Sequence, residues 1–75
     1  MKFSTTDMYL AAYMEMYALE SEQVKVGGKV VFNFEFDDEL DPNVVYNKYI
    51  ANVELQNYIN NVKEVRGAVY RLMKQ

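Results

Sequence analysis

A run of alternating residues in the middle of the chain, from Val30 to Phe36, most constrains the fold. Phenylalanine occupies every second position at its end, with asparagine and glutamate between. Side chains of a β-strand point alternately to opposite faces, so this pattern predicts a strand with one buried face. A second short apolar segment, residues 24–26, lies before it, and Gly27-Gly28 separates the two. The sequence therefore predicts an antiparallel β-hairpin.

The length of the hairpin loop decides which side chains share the buried face. A two-residue Gly27-Gly28 loop would set Val24 opposite Val31, on the polar side of the second strand. A three-residue connection through Lys29, or an equivalent bulge, would set Val24 opposite Phe32 instead. We predict the three-residue connection, because it gathers the valines and the phenylalanines on one face.

The N-terminal segment predicts a helix that begins at Thr5. Ser4 is its expected N-cap, and Asp7 completes the pattern of a capping box. Between Met8 and Leu19 the only charged residue is Glu15, and the apolar residues surround the helix. Such a helix needs more cover than a two-layer domain of this size supplies, so we predict a homodimer. The interface is placed on Tyr9, Tyr13, Met16 and Tyr17. A ligand-stacking strip is the alternative interpretation of the tyrosines.

Two further helices are predicted after the hairpin. Asp41 and Pro42 form an N-cap and N1 pair for a short helix that ends near Lys48. The last helix runs from about Leu55 to Met73, with apolar residues at spacings of three and four. The predicted fold is α+β in the order α-β-β-α(short)-α, a two-stranded antiparallel hairpin packed against an N-terminal and a long C-terminal helix. Residues 1–75 have room for one domain.

The composition disfavours enzymatic and metal-dependent functions. The chain has no histidine and no cysteine, so it offers no imidazole base, no thiol nucleophile, no disulfide and none of the usual zinc ligands. We predict a non-enzymatic protein without catalytic residues, metal or cofactor. No stretch approaches the ~18 apolar residues of a membrane span, and no signal-peptide pattern is present. We therefore predict a cytoplasmic protein that does not enter membranes.

Charge is distributed unevenly along the chain. The formal net charge of −3 disfavours nonspecific binding to nucleic acid. An acidic rim follows the second strand and predicts contact with a protein partner; it consists of Asp37, Asp38, Glu39 and Asp41. Ordinary solvation of a strand end explains the same rim, and its spacing does not fit a calcium loop. The last helix carries cations that predict an alternative contact with nucleic acid: Lys63, Arg66, Arg71 and Lys74.

One further pattern is found at the start of the chain. Residues 3–13 read Phe-Ser-Thr-Thr-Asp-Met-Tyr-Leu-Ala-Ala-Tyr, the hairpin strand 29–34 follows, and the tail 58–72 is compatible. Together they resemble an uncharacterised family of small bacterial and phage-borne domains. The resemblance implies a phage or mobile-element setting, hence the host cytoplasm, and no assigned activity. We predict a homodimeric interaction module that binds an unidentified host or viral protein. The alternative is a small nucleic-acid-associated regulator that uses the basic last helix.

Overall fold

A computed structural model describes residues 1–74. Within them the chain forms a three-stranded antiparallel sheet and three helices, in the order β-α-β-β-α-α. The strands are β1 (Lys2–Thr5), β2 (Glu20–Val26) and β3 (Lys29–Glu35), and the helices are α1 (Met8–Glu15), α2 (Pro42–Ala51) and α3 (Val53–Met73). The α+β class and the long C-terminal helix are confirmed. The predicted two-stranded sheet was wrong, because the first strand was not recognised.

β1 lies at one edge of the sheet and makes β3 the central strand. It pairs with β3 in antiparallel register, with Phe3 opposite Phe34, so the sheet order is β1-β3-β2. Ser4 Oγ donates a hydrogen bond of 2.6 Å to Asn33 Oδ1. Ser4 is therefore a strand residue on the polar face of the sheet, and not the N-cap that the sequence predicted.

The N-cap of α1 is Asp7. Its carboxylate accepts hydrogen bonds from the backbone N–H groups of Tyr9 and Leu10, which satisfies donors that have no partner in the first helical turn. The helix consequently begins at Met8, three residues later than the predicted start at Thr5. The Ser-x-x-Asp spacing fits a capping box equally well, and only the pairing of β1 with β3 distinguishes the two arrangements.

The hairpin between β2 and β3 has the two-residue loop, contrary to the predicted three-residue connection. Val26 pairs with Lys29 and Val24 with Val31. Gly27 has a φ of +62°, which the primed hairpin turns require and which glycine adopts without a steric penalty. These turns match the right-handed twist of the strands, and that gain decides the register. The valines of β2 consequently lie on the face opposite the buried phenylalanines and are exposed.

The two loop glycines provide a matched test of this turn. Gly27→Ala should lower the free energy of unfolding by about 1 to 2 kcal/mol, because an L-residue at positive φ is strained. A Cβ at either position would meet no atom within 4 Å, so the loss at Gly27 is conformational alone. Gly28→Ala, where φ is not positive, should be nearly neutral. Urea unfolding followed by circular dichroism compares them, and an equal or larger loss for Gly28→Ala would contradict the turn.

The hydrophobic core lies between the inner face of the sheet and the helices. Its buried side chains are Leu10, Ala11, Met14, Phe34, Phe36, Val45, Tyr49 and Ile59. Phe36, Met14 and Val45 are the largest that are fully buried, so β3, α1 and α2 meet at the centre. α3 contributes Ile59 alone to this buried set.

α2 and α3 follow one another with a single residue between them. Asp41 caps α2 and Pro42 stands in its first turn, as predicted, although the helix continues to Ala51. Asn52 then caps α3 by accepting a hydrogen bond of 3.0 Å from the N–H of Leu55. The connection between the two helices is thus this cap alone. α3 is 21 residues long, about 32 Å, and its second half extends beyond the core.

Candidate interaction surfaces

The second half of α3 carries a group of apolar side chains that the rest of the described chain leaves uncovered. We call this group the distal stripe: Val65, Val69, Leu72 and Met73. Each is between 54% and 80% exposed. Their spacing places them on one side of the helix. Contiguous exposed apolar surface on a small protein marks a site of interaction.

The distal stripe continues the apolar row that packs α3 onto the core. In the first half of the helix, Ile59 is buried and Leu55 and Val62 are partly buried. The same row is exposed from Val65 onward. The sequence predicts the apolar spacings of three and four along this helix.

Basic side chains lie beside the distal stripe. The four cations predicted for the last helix, Lys63, Arg66, Arg71 and Lys74, are all exposed. At 100° per residue they fall within about 140° of the helix circumference, next to the stripe. Tyr70 lies among them, with the Lys74 ammonium 4.7 Å from its ring centre. The distal half of α3 is therefore amphipathic, with one apolar side and one cationic side.

Tyr9 of α1 contacts α3 at the point where α3 leaves the core. Arg66 Nη1 donates a hydrogen bond of 3.0 Å to Tyr9 Oη, and the Lys63 ammonium lies 5.2 Å from the centre of the Tyr9 ring. Earlier in α3, Gln56 Nε2 donates to the carbonyl oxygen of Tyr49 at 2.7 Å. Lys63 and Arg66, two of the cations predicted to contact nucleic acid, thus contact α1.

The structure divides the four residues predicted for a dimer interface: Tyr9, Tyr13, Met16 and Tyr17. Tyr9 contacts α3, and the Tyr13 ring lies 5.4 Å from the Tyr49 ring, so both are partly buried within the chain. Met16 is 66% exposed, and Tyr17 is exposed beside it. With the exposed Leu19 they form what we call the α1-end patch: Met16, Tyr17 and Leu19.

One carboxylate, that of Glu15, borders the α1-end patch. Glu15 ends α1, whereas Glu20 and Glu22 of β2 lie on the polar face of the sheet, away from α1. Ser21 Oγ donates a hydrogen bond of 3.2 Å to Glu15 Oε1, which joins the helix end to the start of the strand. One cation, Lys48, lies 6.0 Å from the Tyr17 ring centre. The patch is thus apolar at its centre and has one charge of each sign at its border.

The acidic rim follows the C-terminal end of β3, and three of its carboxylates make contacts within the chain. Asp37 accepts a hydrogen bond from the N–H of Glu39 at 2.9 Å, and Asp41 caps α2. Asp38 lies 3.5 Å from the N-terminal ammonium of Met1. In residues 1–74 no group of three acidic, histidine or cysteine side chains could hold a metal ion. The rim is exposed, so its carboxylates can still meet a partner.

Two tyrosines of the helices, Tyr13 and Tyr49, are expected to ionise at a higher pH than an ordinary tyrosine. A hydrogen bond with Tyr17 raises the pKa of Tyr13, and burial followed by the charge of Asp7 raises the pKa of Tyr49. Ultraviolet titration should show phenols that ionise above the ordinary value of about 10, and Tyr13→Phe and Tyr49→Phe should each remove part of this late component.

A raised pKa in the folded state also has a consequence for stability. The folded chain holds these protons more tightly than the unfolded chain, so the contribution is complete below about pH 10 and is lost as pH rises through the folded pKa values. The unfolding temperature should therefore fall in that range. A late component that persists in the double Tyr→Phe variant would contradict the assignment.

The chain matches the profile of a known protein family. The profile described as Domain of unknown function (DUF5659) matches residues 1–71, a span that includes the sheet, all of α1 and α2, and most of α3. No curated protein and no solved structure matches the chain. None of the helices in residues 1–74 has both the length and the apolar character needed to cross a membrane.

Proposed function

This chain belongs to the DUF5659 family, and we propose that it is a non-enzymatic protein-interaction module that binds a protein through the distal stripe. The exposure of Val65, Val69, Leu72 and Met73 on a helix whose first half packs on the core carries this proposal. Complete burial of one such side chain contributes about 1.5 to 3 kcal/mol. Burial of these side chains by a partner therefore contributes favourably to the free energy of binding.

The length of α3 supports the same function. Helical segments shorter than about 12 residues are marginal in water without tertiary contacts. Beyond Arg66 the helix has no buried side chain among the described residues, so its end is stabilised only by local interactions. A partner that packs against the stripe would stabilise the helix as well as bind it.

The acidic rim and the biological setting extend the proposal. The exposed carboxylates of the rim would steer a partner with a basic surface and would affect association rate more than dissociation rate. The resemblance of residues 3–13 to phage-borne domains supports an accessory protein of a phage or mobile element, acting on a host or viral protein in the host cytoplasm. The absence of histidine and cysteine from the sequence supports a role without catalysis.

Affinity capture from a host lysate tests the proposal when three forms of the chain are compared. The native chain should retain a defined set of proteins, and the double variant Val69→Glu/Leu72→Glu should lose them, because a charge replaces each apolar contact. Val26→Glu is the matched control, since Val26 is also an exposed valine but lies at the hairpin. Retention of the same proteins by all three forms would contradict binding through the stripe.

The alternative function is contact with nucleic acid through Lys63, Arg66, Arg71 and Lys74. Their common side of α3 favours it, but residues 1–52 hold nine of the eleven acidic side chains and would repel a phosphate backbone. Fluorescence anisotropy with single- and double-stranded oligonucleotides at low salt separates the two functions. Salt-sensitive binding that is lost when the four cations become glutamine would overturn the protein-binding proposal. Dissociation constants weaker than about 100 μM would eliminate the nucleic-acid alternative.

A further inference from the structure

We infer that the protein bound by the distal stripe is a second copy of this chain, whose α3 packs antiparallel against it along one apolar seam. This inference rests on the proposed function and assigns the partner of the same surface. The seam joins three residues of the distal stripe to two that precede them, and it consists of Tyr58, Val62, Val65, Val69 and Leu72. Tyr58 and Leu72 at its ends are 66% and 70% exposed, and Val62 is partly buried.

The spacing of the seam is that of a coiled coil. Its residues follow one another at intervals of four, three, four and three, the heptad pattern in which the a and d positions face a second helix. A row restricted to these two positions is narrower than the face of a helix that packs on a globular core. From Tyr58 to Leu72 it measures about 21 Å at 1.5 Å per residue. One α-helix that lies along α3 therefore covers it.

The flanks of the seam accept an identical helix. Directly beside it, the e and g positions of the heptad hold Glu54, Ile59, Asn61, Arg66, Ala68 and Met73. Charges at these positions set the choice of partner in a coiled coil, and here they comprise one carboxylate and one cation, Arg66, which already contacts Tyr9. The other cations of the distal half occupy positions that point away from a second helix. A second α3 therefore meets no row of like charges.

The charge distribution of the chain favours an antiparallel pair. Residues 63–74 contain four cations and one carboxylate, whereas residues 1–62 contain ten carboxylates and four cations. A parallel pair would place two cationic ends side by side. An antiparallel pair places each cationic end along the first half of the other α3, on which the acidic remainder of that copy packs. Opposite charges favour the antiparallel arrangement, and like charges disfavour the parallel one.

The antiparallel register that covers most of the seam sets Tyr58 opposite Val69 of the second copy and Val62 opposite its Val65. Glu54 then lies within one helical turn of Arg71 of the second copy, on the same flank of the seam. The same contacts recur across a twofold axis, so two copies cover both seams and the dimer is closed.

A single charge near the twofold axis tests the seam. Val65→Glu should be a monomer, because the dimer would bury two unpaired carboxylates. Val26→Glu is the matched control, since it makes the same change at an exposed valine of the hairpin, and it should dimerise like the native chain. Size-exclusion chromatography with light scattering should give the native chain and the control a mass near twice 8.8 kDa. Circular dichroism verifies that each variant is folded.

Introduced thiols test the direction, since the sequence has no cysteine of its own. Tyr58→Cys and Val69→Cys each replace an exposed side chain. An equimolar mixture of the two should give a disulfide-linked heterodimer under mild oxidation, because the antiparallel register places these positions opposite each other. Each variant alone should give much less linked product, and Val26→Cys should give little with either.

Three results would overturn the inference. Linkage of each single-cysteine variant to itself at the level of the mixture overturns the antiparallel direction. Equal loss of the dimer in Val26→Glu and Val65→Glu overturns the role of the seam. A native chain that stays monomeric at high micromolar concentration overturns the self-association, and leaves the capture experiment with Val69→Glu/Leu72→Glu as the separate test of the proposed function.

Discussion

Phe36→Ala should lower the free energy of unfolding by about 3 to 5 kcal/mol, enough to unfold much of a domain this small at room temperature. Phe36 is 1% exposed and is the largest of the fully buried side chains. Its ring packs 6.4 Å from that of Phe34, directly after the central strand of the sheet. Removing it would leave a cavity between the sheet and the helices that the surrounding backbone cannot fill.

Three comparisons make this prediction specific. Phe34→Ala should be similarly destabilising, whereas Phe32→Ala should cost less because Phe32 is only partly buried. Asn33→Ala should be mild, since it removes hydrogen bonds at the solvent-exposed face of the sheet. Urea or thermal unfolding of the four variants, followed by circular dichroism, measures the order. A larger loss for Asn33→Ala than for Phe34→Ala would reverse the assignment of the two faces of the sheet.

Met14→Ala should lower the free energy of unfolding by about 2 to 5 kcal/mol. Met14 has no exposed surface and lies on the side of α1 that faces the core, together with Leu10 and Ala11. Alanine removes the side chain beyond Cβ and leaves the helix itself intact, because alanine has the highest helix propensity.

Met16→Ala is the matched control for this substitution. It makes the same chemical change at the C-cap of α1, where Met16 is 66% exposed, so the stability of the monomer should change by less than about 0.5 kcal/mol. The unfolding of both variants should be measured at a protein concentration low enough to keep the chain monomeric. Equal losses would show that α1 does not face the core as described.

The sequence predicts most of the fold where one physical signal dominates. The phenylalanine alternation identifies β3, the pair Asp41 and Pro42 identifies the start of α2, and a 3.6-residue periodicity identifies α3. β1 was missed because its four residues have no strong pattern of their own and gain their stability from pairing with β3. The hairpin register was missed because the apolar pattern favoured one loop and the backbone twist at Gly27 favoured another. Here the local turn geometry prevailed, and the valines of β2 became exposed.

The interaction surfaces could be predicted only in part, for a related reason. Periodicity shows that Val65, Val69 and Leu72 form a stripe, but it does not show how far the rest of the fold extends along the helix. Met16 and Tyr17 were identified as surface residues because α1 is apolar on every side. Tyr9 and Tyr13 were assigned to the same interface because a sequence cannot show that α3 covers Tyr9 and that α2 covers Tyr13.

The distal stripe as a protein-binding surface is tested most directly by amide hydrogen exchange along α3. Exchange is measured by mass spectrometry on the chain alone at two concentrations that differ by roughly a hundredfold, and again in the presence of any captured protein. Amides of residues 65–73 should exchange rapidly in the dilute chain and slow when a partner is bound, while the hairpin loop should not change. The Val69→Glu/Leu72→Glu variant should stay fast throughout. Rapid exchange of residues 65–73 in the native chain under every condition would contradict the assignment of this surface.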